Sequence, residues 1–166
     1  MENGQKMHVT VGPEHGDLHP KNIVIDDMDG IKIIDFGWAK EKFHIIIDYL
    51  LLDVNLRATT LPSQIPEADI IAFARFLHPD HPIENLSKTI KRRAEIIKNI
   101  IWGEVKNNKI VDNWDDEYLI PLLLVSYGLL VHLDNSRNQP GLIALVLSAS
   151  EHVSSYLGLD KKDDGS

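Results

Sequence analysis

A β-branched triplet, Ile23-Val24-Ile25, is separated by Asp26-Asp27-Met28-Asp29-Gly30 from a second run, Ile31-Lys32-Ile33-Ile34. Two extended segments around a turn-rich linker read as a β-hairpin, with Gly30 leaving the turn. A hairpin brings the chain back to where it started, so the residues before the first strand and after the second meet at its open end. Polar residues occupy both places. His15-Gly16-Asp17-Leu18-His19-Pro20-Lys21-Asn22 comes before, and Asp35-Phe36-Gly37 comes after. Asn22 and Asp35 should therefore converge, and Asp17 shares one short loop with Asn22.

Beyond the hairpin the pattern changes. From Glu41 onward strand signals fade, and apolar residues recur at helical spacing through Ile45, Tyr49, Leu52 and Leu56 until Pro62. A second helix is expected from Glu67 to Leu77, stopped by His78-Pro79. A long amphipathic helix follows, with one stripe through Leu86, Ile90, Ile97, Ile101 and Val105, ended by Asn107-Asn108. Two more are expected at about Asp115 to Leu133 and Pro140 to Leu157. The resulting class is α+β, mostly α: a short β-hairpin platform followed by four or five helices. At 166 residues one core is the natural expectation, spanning residues 1–159, with a frayed tail at 160–166.

Composition excludes several function classes. A formal charge of −8 argues against nucleic acid as the main partner, because neutralising phosphates needs Lys and Arg in excess. The absence of cysteine removes disulfides, thiolate catalysis and sulfur-ligated metals. No stretch has the ~20 apolar residues of a membrane-spanning helix, and the first residues lack the apolar run of a signal peptide. A cytoplasmic location is the expectation.

The residue types at the hairpin's open end suit phosphoryl transfer to an alcohol. That reaction needs a group to receive the hydroxyl proton and hard oxygen ligands to hold Mg²⁺ against nucleotide phosphates. Asp17 fits the first need. Asn22 and Asp35 fit the second. The competing reading of Asp17-Leu18-His19 as the opening of a metallophosphoesterase motif requires further Gly-Asp and Gly-Asn-His motifs, which the sequence lacks.

His-Gly-Asp-Leu-His-Pro-x-Asn followed by Ile34-Asp35-Phe36-Gly37 resembles the catalytic and metal-binding loops of the protein-kinase-like superfamily, in particular the aminoglycoside phosphotransferase and choline kinase group. The resemblance covers roughly Pro13 to Leu56. It implies a kinase-like C-terminal lobe that uses Mg²⁺ with ATP or GTP and takes a small-molecule hydroxyl as acceptor. It also implies roles: Asp17 as catalytic base, Asn22 and Asp35 as Mg²⁺ ligands, His15 bracing the loop, and His19 facing the transferred phosphate. Asp48 resembles the helix-start Asp that hydrogen-bonds this loop in such phosphotransferases. Gly16 stands where many protein kinases carry an Arg that pairs with a phosphorylated activation segment, so charge-driven switching of that kind has no receiver here. Lys21 stands where many relatives carry Gly.

The same resemblance implies a β-rich N-terminal lobe with a glycine-rich loop and a paired lysine, and neither fits before His15. The expectation is a catalytic lobe with weak or no turnover alone, completed by a missing lobe or partner chain, or paired as a homodimer through an exposed apolar patch. The non-enzymatic alternative is a pseudokinase-like helical interaction module with a relic loop. Other features read more plainly. The Asp26, Asp27, Asp29 cluster lacks the later Glu of a Ca²⁺ loop and reads as a solvated turn. Lys88, Lys91, Arg92, Arg93 and Lys98 read as the polar face of a helix. Trp102 and Trp114 read as core fillers, and Trp38 is the tryptophan placed beside the motif. His44, His78, His81, His132 and His152 show no metal-ligand spacing.

Overall fold

Burial organises the chain around one helix. In α1 (Ile46–Ala58), the positions Ile46, Leu50, Val54 and Ala58 recur every four residues and are at most 2% exposed, and a second buried line runs through Asp53 and Arg57. A helix covered on two sides lies inside the core rather than along its surface. The computed structural model describes residues 10–84, 86–131 and 138–159. Within it α1 is packed by α5 (Ile120–Leu130), by α6 (Gln139–Tyr156) and by an irregular stretch at Ile97–Ile101. The fold is α+β and mostly helical. None of its helices among the described residues is long and apolar enough to cross a membrane. The 160–166 tail and His132 lie outside the described residues.

Local chemistry sets the helix ends. Thr59 and Thr60 donate their hydroxyls to the carbonyls of Asn55 and Leu56 at 2.7 and 2.6 Å, satisfying acceptors that the last turn of α1 leaves open. Asn138 caps α6 by accepting from Gly141 N–H at 2.8 Å while its own amide donates to the Pro62 carbonyl at 2.7 Å. One asparagine thus joins the start of α6 to the segment leaving α1.

The helix expected at Glu67 to Leu77 forms as α2 (Glu67–Ala74). The long amphipathic helix forms in three parts: α3 (Lys88–Ile96), a π-type stretch at Ile97–Ile101, and α4 (Trp102–Asn107). Ile101 and Trp102, at the junction of the π stretch and α4, are both buried. A second π stretch, Asp115–Leu119, precedes α5.

The strands correct one expectation. The hairpin forms as β2 (Ile23–Ile25) and β3 (Ile31–Ile33), in the register Ile23 to Ile33. The chain after Gly37, expected to turn helical almost at once, instead forms β4 (Lys40–His44) antiparallel to β1 (Val11–Glu14). Lys-Glu-Lys-Phe-His has no alternating apolar face because this ribbon is largely solvent-exposed, so its partner rather than its own pattern specifies the strand. Pro13 is accommodated by a bulge between Gly12 and Glu14. The outer pair β1–β4 therefore brackets the inner hairpin, and the polar loop runs from one ladder to the other.

As expected, Gly30 leaves the turn directly before β3. Asp29, not Gly30, takes the left-handed backbone, with φ +58°. Asp26 Oδ1 accepts from the Met28 and Gly30 amides at 3.0 and 2.7 Å, and Lys32 lies 3.1 Å from Oδ2. The Gly30 bond, then Lys32, then the Met28 bond hold the Asp26 carboxyl below its ordinary range. A Cβ on Gly30 would stand 2.7 Å from that carboxylate, so a side chain there would displace Asp26 from its hydrogen bonds.

Candidate active-site loop

The loop from Glu14 to Asn22 is fixed by the two ladders and by three side chains. Asp48, in the first turn of α1, accepts from the backbone N–H of His15 at 2.6 Å and of Gly16 at 2.9 Å, one with each carboxylate oxygen. A first-turn carboxylate is also favoured by the helix dipole. His15 is 5% exposed; its Nε2 donates to the Ile34 carbonyl at 2.7 Å, and its ring lies 4.7 Å from that of Phe36. A proton on Nε2 leaves Nδ1 to accept from Asp17 N–H at 3.4 Å, so the neutral tautomer serves both bonds. His15 thus ties the loop to the strand that delivers Asp35.

Asn22 is held from two sides. Its Nδ2 donates to the Asp17 carbonyl at 2.9 Å, and its own carbonyl accepts from Ile34 N–H at 2.9 Å. The first bond fixes the amide orientation and leaves Oδ1 as the remaining acceptor. The second places Asp35 one residue from the backbone bonded to Asn22. Asp35 takes a left-handed backbone, φ +63°, which costs a non-glycine residue roughly 1–2 kcal/mol and is tolerated best by Asp and Asn. Two oxygen donors on adjoining backbone suit a hard cation that keeps several other oxygen ligands, as Mg²⁺ does with phosphates. Among the described residues no group of three or more His, Cys, Asp or Glu side chains could hold a metal by itself.

Asp17 and His19 form the exposed edge. The Asp17 side chain is 42% exposed, and His19 Nε2 lies 3.6 Å from its Oδ2. His19 Nδ1 accepts from Lys21 N–H at 3.2 Å, capping the short 3₁₀ turn Pro20–Asn22. All six residues singled out from sequence, His15, Asp17, His19, Asn22, Asp35 and Asp48, therefore belong to one connected region. Trp38 stands beside it with an exposed indole, whereas Trp102 and Trp114 are buried.

Two features were not legible in the sequence. Gly16 has φ +80°, and a Cβ there would stand 2.6 Å from the Trp38 carbonyl, so the glycine is required by backbone geometry and not merely by the absence of a charge. Glu14, the last residue of β1, is 7% exposed. Burial, reinforced by the nearby Asp48 and partly offset by Lys40, raises its carboxyl above the ordinary range. A strand hidden by a proline and a bulge offers no periodicity from which an inward Glu14 could be read.

No protein-family model matches the chain, and neither the curated proteins nor the solved structures contain a match to it.

Proposed function

We propose that this region is the catalytic loop of an ATP- and Mg²⁺-dependent small-molecule O-phosphotransferase of the kind the sequence resembles. The observation that carries the reading is the double anchoring of Asn22, which orients its amide and brings Asp35 alongside while leaving Asp17 open to solvent. Asn22 Oδ1 and the Asp35 carboxylate would hold the cation. Bound there, Mg²⁺ would neutralise charge on the nucleotide phosphates. Asp17 orients the acceptor hydroxyl and takes its proton as the oxygen bonds to the terminal phosphorus and the bond to the nucleoside diphosphate breaks. His19, beside Asp17, faces the transferred group. His15 and Asp48 position the loop and touch no reactant.

These residues reach the metal and the phosphates and not the base, so nucleotide binding through them is expected to be weak. Mn²⁺ with ATP, followed by NMR line broadening, suits such weak binding. Amides at Asn22 and Asp35 should broaden first, and Asp35→Asn should abolish the effect. Broadening centred elsewhere, or unchanged in Asp35→Asn, would refute the assignment. The interaction-module alternative draws on a different observation: Ile25, Ile31, Phe36 and Trp38 are at least 59% exposed on and beside the strands. It predicts no response to the metal nucleotide.

A further inference from the structure

Between β1, the active-site loop and β4 lies an open cavity of about 430 Å³. Its apolar walls include Pro13, Leu18, Ile33, Phe36 and Ala39, and Glu14 lines it. Glu14 is more than nine-tenths buried, and its Oε2 is enclosed with no hydrogen-bond partner among the described residues. Buried carboxylates in folded proteins are paired or hydrogen-bonded, because an uncompensated one is costly. The obvious partner is occupied elsewhere: Lys40, opposite Glu14 in the ladder, places its ammonium 4.2 Å above the Phe43 ring. Asp48 and Glu41 also line the cavity, so its charge is net negative even with Lys40 counted. Asp48 has both oxygens committed to the loop amides. Glu14 is the acid left without a hydrogen bond or close ion pair among the described residues, Lys40 acting on it only at longer range.

We propose that this cavity binds an organic ammonium group carried on a short apolar body, with Glu14 as its counter-ion. A bare metal ion does not fit, since Asp48 has both oxygens committed to the loop amides and no group of three or more His, Cys, Asp or Glu side chains that could hold a metal exists among the described residues. The volume lies within the range of small-molecule sites, where apolar walls surround a few placed polar groups. Asp17, Asn22 and Asp35 are not among the residues lining this cavity, so the inference rests on Glu14 and does not depend on the phosphotransfer reading.

The test uses 2-phenylethylammonium and its uncharged analogue 2-phenylethanol, titrated by calorimetry or NMR into wild type, Glu14→Gln and Ala39→Phe. Wild type should bind the ammonium saturably and at least tenfold more tightly than the alcohol. Glu14→Gln should lose that preference, and Ala39→Phe, which fills the cavity without changing its charge, should weaken both ligands at least tenfold. Folding of each variant is checked by circular dichroism, and the two variants fail for different reasons, so one remains informative if the other is unstable. Equal affinity for ammonium and alcohol, undiminished ammonium binding by Glu14→Gln, or no saturable binding at millimolar ammonium would overturn the assignment.

Discussion

The carboxylate of Asp48 is the most economical place to perturb the loop, because it touches no reactant and yet holds two consecutive loop amides. It accepts from His15 N–H at 2.6 Å and from Gly16 N–H at 2.9 Å. Hydrogen bonds to a charged group contribute about 1.5–3 kcal/mol each, and a first-turn carboxylate adds about 0.3–1 kcal/mol through the helix dipole. Some relief opposes this, since Asp48 repels the neighbouring Glu14 carboxylate. Asp48→Ala should therefore cost about 3–5 kcal/mol, and Asp48→Asn, which keeps one acceptor but turns an NH₂ toward the other amide, about half of that. In a chain of this size such a loss for Asp48→Ala lowers Tm by roughly 6–20 °C. Urea unfolding followed by the fluorescence of the buried Trp102 and Trp114 measures the global term. Amide hydrogen exchange measures the local one, with protection lost first at His15 and Gly16. Asp48→Ala within about 1 kcal/mol of wild type, or Asp48→Asn with both amides still protected, would refute the reasoning.

The core offers a larger effect. Asp53 is fully buried and accepts from Arg57 Nε at 2.5 Å, Trp102 Nε1 at 2.9 Å and the Tyr118 hydroxyl at 2.7 Å, while burial keeps that phenol protonated well beyond its ordinary range. Asp53→Asn leaves the Arg57 cation uncompensated and should cost about 3–5 kcal/mol in urea unfolding, whereas Asp53→Leu with Arg57→Met should recover most of it; a double variant no more stable than Asp53→Asn would contradict this. For pH, the raised carboxyl of Glu14 means the folded state holds that proton more tightly than the unfolded state, so its contribution is present below the usual Glu value and lost as pH rises through the higher folded value. The urea midpoint of Glu14→Gln should therefore gain on wild type as the pH rises above the usual Glu range, and parallel curves would rule the effect out.

The sequence made the site more legible than the scaffold around it. The hairpin could be read because its Ile-rich strands flank an unmistakable turn, and helix α1 because Ile45, Tyr49, Leu52 and Leu56 recur at helical spacing, although the deepest line proves to be Ile46, Leu50, Val54 and Ala58. Strand β4 could not, because each of its first four residues is exposed and nothing in Lys-Glu-Lys-Phe separates an exposed ribbon from a helix start. The two π stretches were equally hidden, since a one-residue widening of a helix leaves the apolar spacing almost unchanged. The Asp53–Arg57 pair was missed for another reason. Charged residues four apart on a helix ordinarily read as a solvent face, and only the arrival of Trp102 and Tyr118 from distant segments shows that this face points inward.

On the proposed reading, the division of labour among the acids around the loop explains why Asp17 is the one suited to receive a proton. Asp48 is committed to two backbone amides, and releasing it would free the loop. Glu14 is enclosed at the end of β1 and faces the cavity described above. Asp35 is carried on a left-handed backbone set by the strand that His15 grips through the Ile34 carbonyl, which fixes where its carboxylate starts. Asp17 combines an anchored backbone with an accessible side chain: its carbonyl is held by Asn22, its N–H by His15, and its carboxylate meets solvent with His19 beside it. A general base has to be fixed in position and still reachable by a substrate proton. The nested ladders supply the first condition by pinning both ends of the loop, and the left-handed Gly16, pressed against the Trp38 carbonyl, supplies the second by turning the chain sharply enough that the next residue stays at the surface.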